Sequence, residues 1–338
     1  MYIAYDELRR TLEEILLAHG VSPENAAPAA ENYAKNSLDG AYSHGVNRFP
    51  RTVGYLDRGL IDGAARPVLL SAFGGLERWD GCLGLGNVNA GLMMVRAVLL
   101  ARDHGIGLVA IGNTNHWMRG GAFGWQAAEA GCIGICWTNT MPNAPAWGGV
   151  DNRIGNNPFV IAIPRSGGEH VVLDMAMTQF AYGKVEQAAM KGEKLPVPGG
   201  YDAAGNLTDD PAAIRDGGRH LTIGYWKGSG LSILLDLAAA VLSGGNTVTD
   251  IGRKYRDEIG LSQVFVAIDP EKLQTPALTD AAIARVVEDI KASAPGREGK
   301  EITYPGERTL ATRKRNLEQG IPVMDRVWET ICALKKSR

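Results

Sequence analysis

The chain has 338 residues, 45% hydrophobic and 21% charged, enough for two or three domains around a substantial core. A formal net charge of −2 supplies no general attraction to nucleic acid or to an anionic membrane, so neither is expected as a partner. The four scattered cysteines, Cys82, Cys132, Cys136 and Cys332, exclude a disulfide scaffold, and without a CxxC, HxxxH or HxxEH pattern no metal is expected.

The opening "MYIAYDELRRTLEEILLAHG" reads as a charged amphipathic helix with Leu8, Leu12, Ile15 and Leu16 on one face. It lacks the apolar stretch and cleavage site of a signal peptide, and a cytoplasmic location is expected. Ser22 as N-cap and Pro23 at the first helical position predict a second helix to about Leu38. "VGYLDRGLI" looks helical, "RPVLLSAFGGLERWDG" looks like strands with turns, and a helix from about Val88 to His104 stops at Gly105. "IGLVAI" is a short buried strand, followed by the polar loop "GNTNHWMRGG", the helix "AFGWQAAEAG" and the strand "CIGICW". Cys132 and Cys136 share one face of that last segment as small apolar residues. This order is the signature of a layered α/β fold.

"RIGNNPFVIAIP" and "HVVLDMAM" supply two more strands, "TQFAYGKVEQAAMKG" a helix, and "LPVPGGYDAAGNLTDDP" a surface excursion. "GYWKGSG" leads into the apolar helix "LSILLDLAAAVLSG", which Asp236 interrupts and which is short for a membrane span. The strand "SQVFVAID" and the amphipathic helices "TDAAIARVVEDIKASA" and "ERTLATRKRNLEQG" follow, and "KKSR" closes the chain as a solvated basic tail.

"GLGNVNAG", residues 84–91, fails as a dinucleotide fingerprint: its third glycine comes one residue late, and no acidic residue ends a second strand about twenty residues on. A helix N-terminus capped by Asn87 accounts for it more simply. "WKGSG", residues 226–230, suits a phosphate at a helix start, and suits a tight loop before a core helix equally well. "YPGERT" is a Pro-Gly turn with Glu307 and Arg308 near a helix start.

Among six histidines, His19 and His104 precede glycines at helix ends, where a cation suits the dipole, and His170 and His220 open strand-like segments. His44 and His116 lie in polar loops. Ser43 beside His44 is no evidence for a hydrolase without GxSxG. His44 with Arg48 fits a carbonyl reduction, in which histidine donates a proton near neutral pH and the arginine fork holds a carboxylate. On a helix the two share a face. Asn115 and His116 follow "IGLVAI" and supply hydrogen bonds to a polyhydroxylated substrate; Thr138 and Asn139, ending the next strand, are expected to project into the same crevice. The alternative for each is a loop side chain satisfying backbone groups.

Together "YSHGVNRFPR", "DHGIGLVAI…NHW", "GNNP", "LDMAMT" and "GYWKGSGLSILLD" resemble, in order and over nearly the whole chain, the malate/L-lactate dehydrogenase family that lacks a Rossmann fold. "NHWMRGG", where many members have a small glycine-rich turn, looks with "CWTN" like that family's 2,3-diketo-L-gulonate reductase branch. The resemblance implies a mixed α/β fold with a non-Rossmann nucleotide domain, a homodimer, and NAD(P)H-dependent reduction of a 2-keto sugar acid, with NADH preferred over NADPH. It implies His44 as the general acid, and the residues themselves place Ser43, Arg48, Asn115, His116, Thr138 and Asn139 around the substrate. As cofactor contacts it implies His170, Val171, Val172, Leu173, Asp174, Met175 and Ala176, then Trp226, Lys227, Gly306, Glu307 and Arg308. The expected division is a mainly helical part over 1–80 carrying the acid, an α/β part over 81–305, and C-terminal helices over 306–338 packing back on the first part. A reductase of another 2-oxo acid or cyclic imino acid, and a non-catalytic sugar-acid binding protein, are the alternatives.

Overall fold

The computed structural model describes residues 1–297, 299 and 301–335; the last part of the basic tail, 336–338, lies outside the described residues. The chain opens with α1 (Tyr5–Ala18), α2 (Pro23–Leu38) and α3 (Phe49–Asp57). Leu8, Leu12, Ile15 and Leu16 are fully buried, as the spacing predicts, and Pro23 opens α2 although the Ser22 side chain makes no cap hydrogen bond. Between α2 and α3 no continuous helix forms. Two 3-10 turns, Tyr42–His44 and Val46–Arg48, are separated at Gly45, where a Cβ would lie 2.3 Å from Ser37 Oγ. That close approach to α2 bends the segment and requires glycine.

The centre is a seven-stranded sheet. Its strands are β1 (Val68–Phe73), β2 (Leu76–Asp80), β3 (Ile106–Asn115), β4 (Ile133–Thr138), β5 (Phe159–Ile163), β6 (Val171–Met175) and β7 (Ile259–Ile268), in the order β1-β2-β3-β7-β4-β5-β6. β2 and β3 are parallel, joined by the crossover helix α4 (Gly86–His104), and the other neighbouring pairs are antiparallel. A Rossmann sheet needs a run of parallel strands, so this topology agrees with the failed fingerprint.

Alternation along the strands sorts side chains to two faces. Val109, Ile111, Cys132, Cys136, Val160 and Phe265 pack with α4 and α5 (Gly121–Glu129). Ala110, Val264 and Val266 pack with Ala239 of the helix that covers the other face. Each fully buried large apolar side chain contributes on the order of 2 kcal/mol.

The excursion after β6 carries α6 (Tyr182–Lys191) and α7 (Pro211–Gly217), and the covering helix is α8 (Trp226–Ser243). By length and composition α8 could cross a membrane, but Ser232, Leu235, Ala239 and Ser243 on its inner side are buried. Then come α9 (Val248–Lys254), α10 (Pro276–Lys291), α11 (Glu307–Gln319) and α12 (Asp325–Ala333). The sequence reading did not anticipate α7, α9 or α12. The caps of α7 and α9 were visible in outline: Asp210 accepts the Ala212 N–H, and Thr247 with Asp250 forms a capping box.

Two expected boundaries move. β1 and β2 belong to the sheet, so the α/β layer begins near residue 68 rather than 81, because β2 pairs with β3. α4 begins at Gly86 with Leu85 as its N-cap, and Asn87 instead accepts the Val88 N–H from inside the first turn. The C-terminal segment packs on the N-terminal helices: Ile321–Pro322 pairs with Tyr2–Ile3, and Asn316 Nδ2 donates to Leu38 O at 2.8 Å. His19 joins them structurally, with Nδ1 at 2.7 Å from Asp57 and Nε2 at 2.9 Å from Leu334 O.

Candidate active site

The strand directions place the carboxyl ends of β2, β3, β4 and β6 at one edge of the sheet. The 3-10 segment carrying His44 lies against that edge: His44 stacks on His116, just past β3, with ring centroids 5.7 Å apart and planes at 22°. Ser43 Oγ and His44 Nδ1 are hydrogen-bonded at 2.9 Å, leaving Nε2 for a reacting partner. Met118, held at φ 68°, donates its N–H to His116 Nδ1 at 3.0 Å. A backbone N–H can only donate, so Nδ1 is unprotonated and the neutral ring carries its hydrogen on Nε2.

The two imidazoles differ in electrostatics. Burial, then the Arg48 cation, push the His116 pKa well below its ordinary value, so it stays neutral. Burial also lowers the His44 pKa, but the Asp174 carboxylate opposes this, while Arg48 and Arg119 add to it. His44 is therefore the imidazole with a carboxylate to support a proton.

Arg48 directs Nη2 to the Glu258 carboxylate, which Arg51 also approaches at 3.6 Å. Its Nε and Nη1 make no hydrogen bond among the described residues. Arg48, Asn115, His116 and Glu258 line one narrow crevice with Gly86 and Met118. Asn115 Nδ2 is committed to the carbonyls of Leu83 and Gly84, and its buried Oδ1 has no partner among the described residues.

Thr138 and Asn139 do not reach the crevice. Thr138 Oγ1 donates to the carbonyls of Asn139 and Ser262. Asn139 Nδ2 donates to Asp236 Oδ1 at 2.9 Å and Asn246 O at 2.7 Å, and its Oδ1 accepts the Ser262 N–H at 2.8 Å. Both side chains are buried and spent on tying β4 to α8 and β7.

The cofactor candidates fall into two groups. β6 is an edge strand with Leu173 and Asp174 exposed, and its Val172 N–H donates to Pro305 O at 2.9 Å. Gly306, at φ 99°, stands where a Cβ would approach His170 O and Val172 N within 3.2 Å, so 170–176 and 306–308 form one surface. His170 Nδ1 accepts the Arg165 N–H, Glu307 pairs with Lys291 at 2.6 Å, and Arg308 is exposed. Trp226 and Lys227 form the second group, at the start of α8, where the Ile223 N–H donates to Met177 O just beyond β6. The N–H groups of Lys227, Gly228 and Ser229 already donate to Gly224, Ile223 and Tyr225, so this helix end presents exposed side chains rather than amide donors. A cleft of about 390 Å³ lies at the opposite end of β6, lined in part by Arg165, Ser166, His170 and Asp280.

Three residues at this edge were not singled out as site residues from sequence: Asp39, Arg119 and Glu258. Arg119 left a trace in the departure "NHWMRGG"; Asp39 and Glu258 left none.

A model of the malate/L-lactate dehydrogenase family matches residues 3–332. The chain belongs to this family. It is 46% identical over 334 residues to the 2,3-diketo-L-gulonate reductase of Citrobacter koseri, covering 99% of this chain and 100% of that protein. Its fold matches a sulfolactate dehydrogenase from Methanocaldococcus jannaschii with a TM-score of 0.91, at 28% identity over 99% of this chain and 96% of that one. It also matches a Δ1-piperideine-2-carboxylate reductase from Pseudomonas syringae with a TM-score of 0.88, at 31% identity over 99% of each chain. As a member of the malate/L-lactate dehydrogenase family it is an oxidoreductase, and its relatives there are NAD(P)-dependent. The exposed edge of β6, the side-chain-free cradle at Gly306 and the exposed cations Lys227 and Arg308 fit such a nucleotide.

Proposed function

We propose that this enzyme reduces a 2-keto sugar acid, 2,3-diketo-L-gulonate to 3-keto-L-gulonate, using NADH in preference to NADPH, as a cytoplasmic homodimer. The observation that carries the chemistry is the stacked pair of imidazoles, one fixed neutral as an Nε2–H donor and one beside a carboxylate. The likeness to the 2,3-diketo-L-gulonate reductase supports the substrate, and the choice of NADH rests on the sequence resemblance to that branch alone.

A nicotinamide, when held here, would supply the hydride. His170–Ala176, Gly306–Arg308, Trp226 and Lys227 hold the nucleotide, with Asp174 at the end nearest His44. His116 Nε2–H hydrogen-bonds the keto oxygen and polarises it. His44 Nε2 gives its proton to the oxygen that becomes the new hydroxyl, while Ser43 keeps its ring in orientation. The Nη1 donor that Glu258 leaves open on Arg48 takes one oxygen of the substrate carboxylate. Asn115 Oδ1 accepts from a substrate hydroxyl.

The homodimer is supported by apolar surface: Leu234, Leu237 and Val241 stand exposed on the outer side of α8, and Leu70 and Phe73 on edge strand β1. A second reading, reduction of a cyclic imino acid or another 2-oxo acid, draws on the Δ1-piperideine-2-carboxylate reductase, whose identity is lower. A sugar-acid binding protein would leave NADH untouched. Absorbance loss of NADH and NADPH with 2,3-diketo-L-gulonate, pyruvate and oxaloacetate separates these readings. Rapid oxidation of NADH with the sugar acid is expected, and His44→Asn is expected to cut turnover by about 10²-fold or more while NADH binding stays within twofold. Oxidation only with the simpler acids discards the substrate, and near-normal turnover in His44→Asn discards the acid.

A further inference from the structure

Arg119 follows the catalytic edge by three residues from His116, and its side chain is only 10% exposed. Its guanidinium is divided among three segments. Nη1 donates to Asp39 Oδ2 at 2.6 Å, Nε to Asp174 Oδ2 at 3.3 Å, and Nη2 to Thr309 Oγ1 at 3.4 Å. Asp39 caps the end of α2 shortly before His44 and is held from its other side by Arg313, at 2.6 and 3.0 Å. Two arginines thus meet two carboxylates, which leaves no buried charge uncompensated. The chain of ion pairs joins the segment carrying His44, the strand carrying Asp174 and the first turn of α11.

We propose that Arg119 is a positioning residue for the reduction, holding the Asp174 carboxylate by one oxygen from an anchor at Asp39 so that it does not close onto His44 as an ion pair. The proposal rests on His44 being the proton donor. Asp174 Oδ2 is taken up by Arg119 and by the Gly121 N–H at 3.0 Å, while Oδ1 makes no hydrogen bond among the described residues. One oxygen is held and the other stays available at the edge where acid and nucleotide meet. Gly121 must lack a side chain for this, since a Cβ there would lie 2.5 Å from Asp174 Oδ2.

The groups facing His44 are Asp174 from β6, Arg119 from the turn after β3, Arg48 from its own segment and His116 from the end of β3. Asp174 favours the imidazolium, and Arg119 restrains that effect both by pairing with the carboxylate and by its own charge. Loss of the Arg119 cation therefore lets His44 keep its proton to higher pH, although the site is less well ordered.

The test is kcat/KM for NADH-dependent reduction as a function of pH in the full-length protein. Arg119→Met is expected to lower the low-pH plateau by about tenfold and to move the midpoint of the descending limb upward by about 0.5–1 unit. Arg119→Gln, neutral but able to hydrogen-bond, should move it in the same direction and carries the test if the methionine variant does not fold. Arg119→Lys keeps the charge and should return the midpoint close to that of the unaltered protein. A midpoint that stays put or moves down in folded Met or Gln variants overturns the positioning role, because a loss of packing alone lowers the plateau and leaves the limb in place. Full turnover in His44→Asn removes the acid itself, and this proposal with it.

Discussion

At the scale of single residues, the division of labour between His44 and His116 comes from what each ring nitrogen touches. Met118 N–H occupies His116 Nδ1 and so dictates its tautomer, while Ser43 occupies His44 Nδ1 and Asp174 favours its charged form. In the proposed mechanism reduction consumes a proton held by His44, so the rate should follow the protonated fraction of that ring. Burial lowers that pKa below its ordinary value, hence kcat/KM for reduction should be flat in acid and fall about tenfold per pH unit once pH exceeds the lowered pKa. The reverse oxidation needs the neutral ring and should rise over the same interval. Matched pH profiles in the two directions check this, and parallel profiles would remove His44 from the proton transfer. The types of residue at this edge were legible in the sequence as polar loop positions. Their pairings were not: Arg48 meets Glu258 across 210 positions, and Arg119 meets Asp39 across 80.

At the scale of elements, periodicity reported the buried face of α1 and of the central strands, but α10 and β1 bury no residue, and spacing did not report which polar residues at strand ends face a crevice. Thr138 and Asn139 illustrate the limit. Both sit at the carboxyl end of β4, where a ligand contact was expected, yet β7 and α8 turn them inward. Asn139→Ala is therefore expected to destabilise the fold by about 2–3 kcal/mol, because it strands the buried Ser262 N–H and takes one of two donors from Asp236 Oδ1 and from Asn246 O, while KM for the keto acid stays within twofold. Urea unfolding beside steady-state kinetics decides it, and a raised KM at normal stability would restore Asn139 to the substrate site. The same argument covers the stretch 44–48, where Gly45 pressed against Ser37 replaces a helix by two short turns. A close approach to another helix is invisible to local spacing.

For the whole molecule, the proposed homodimer draws on exposed apolar side chains of edge strand β1 and of α8. Phe73 is 84% exposed on edge strand β1, and the outer side of α8 exposes Leu234, Leu237 and Val241. Sedimentation should find the protein at twice the chain mass, and Leu237→Glu with Val241→Glu should shift it toward monomer by placing unpaired charge in the contact. A dimer unaffected by the double change would move the interface off α8. What the sequence determined by itself was everything carried by local pattern: the amphipathic helices, the alternating strands, the absence of a Rossmann fingerprint, and an ordered set of motifs specific enough to mark the family. Tertiary structure alone decided the strand order that inserts β7 between β3 and β4, and which polar side chains face one another. Burial patterns depend on neighbours a few residues apart and can be read from spacing, whereas ion pairs and hydrogen bonds form between groups that only the folded chain brings within about 3 Å.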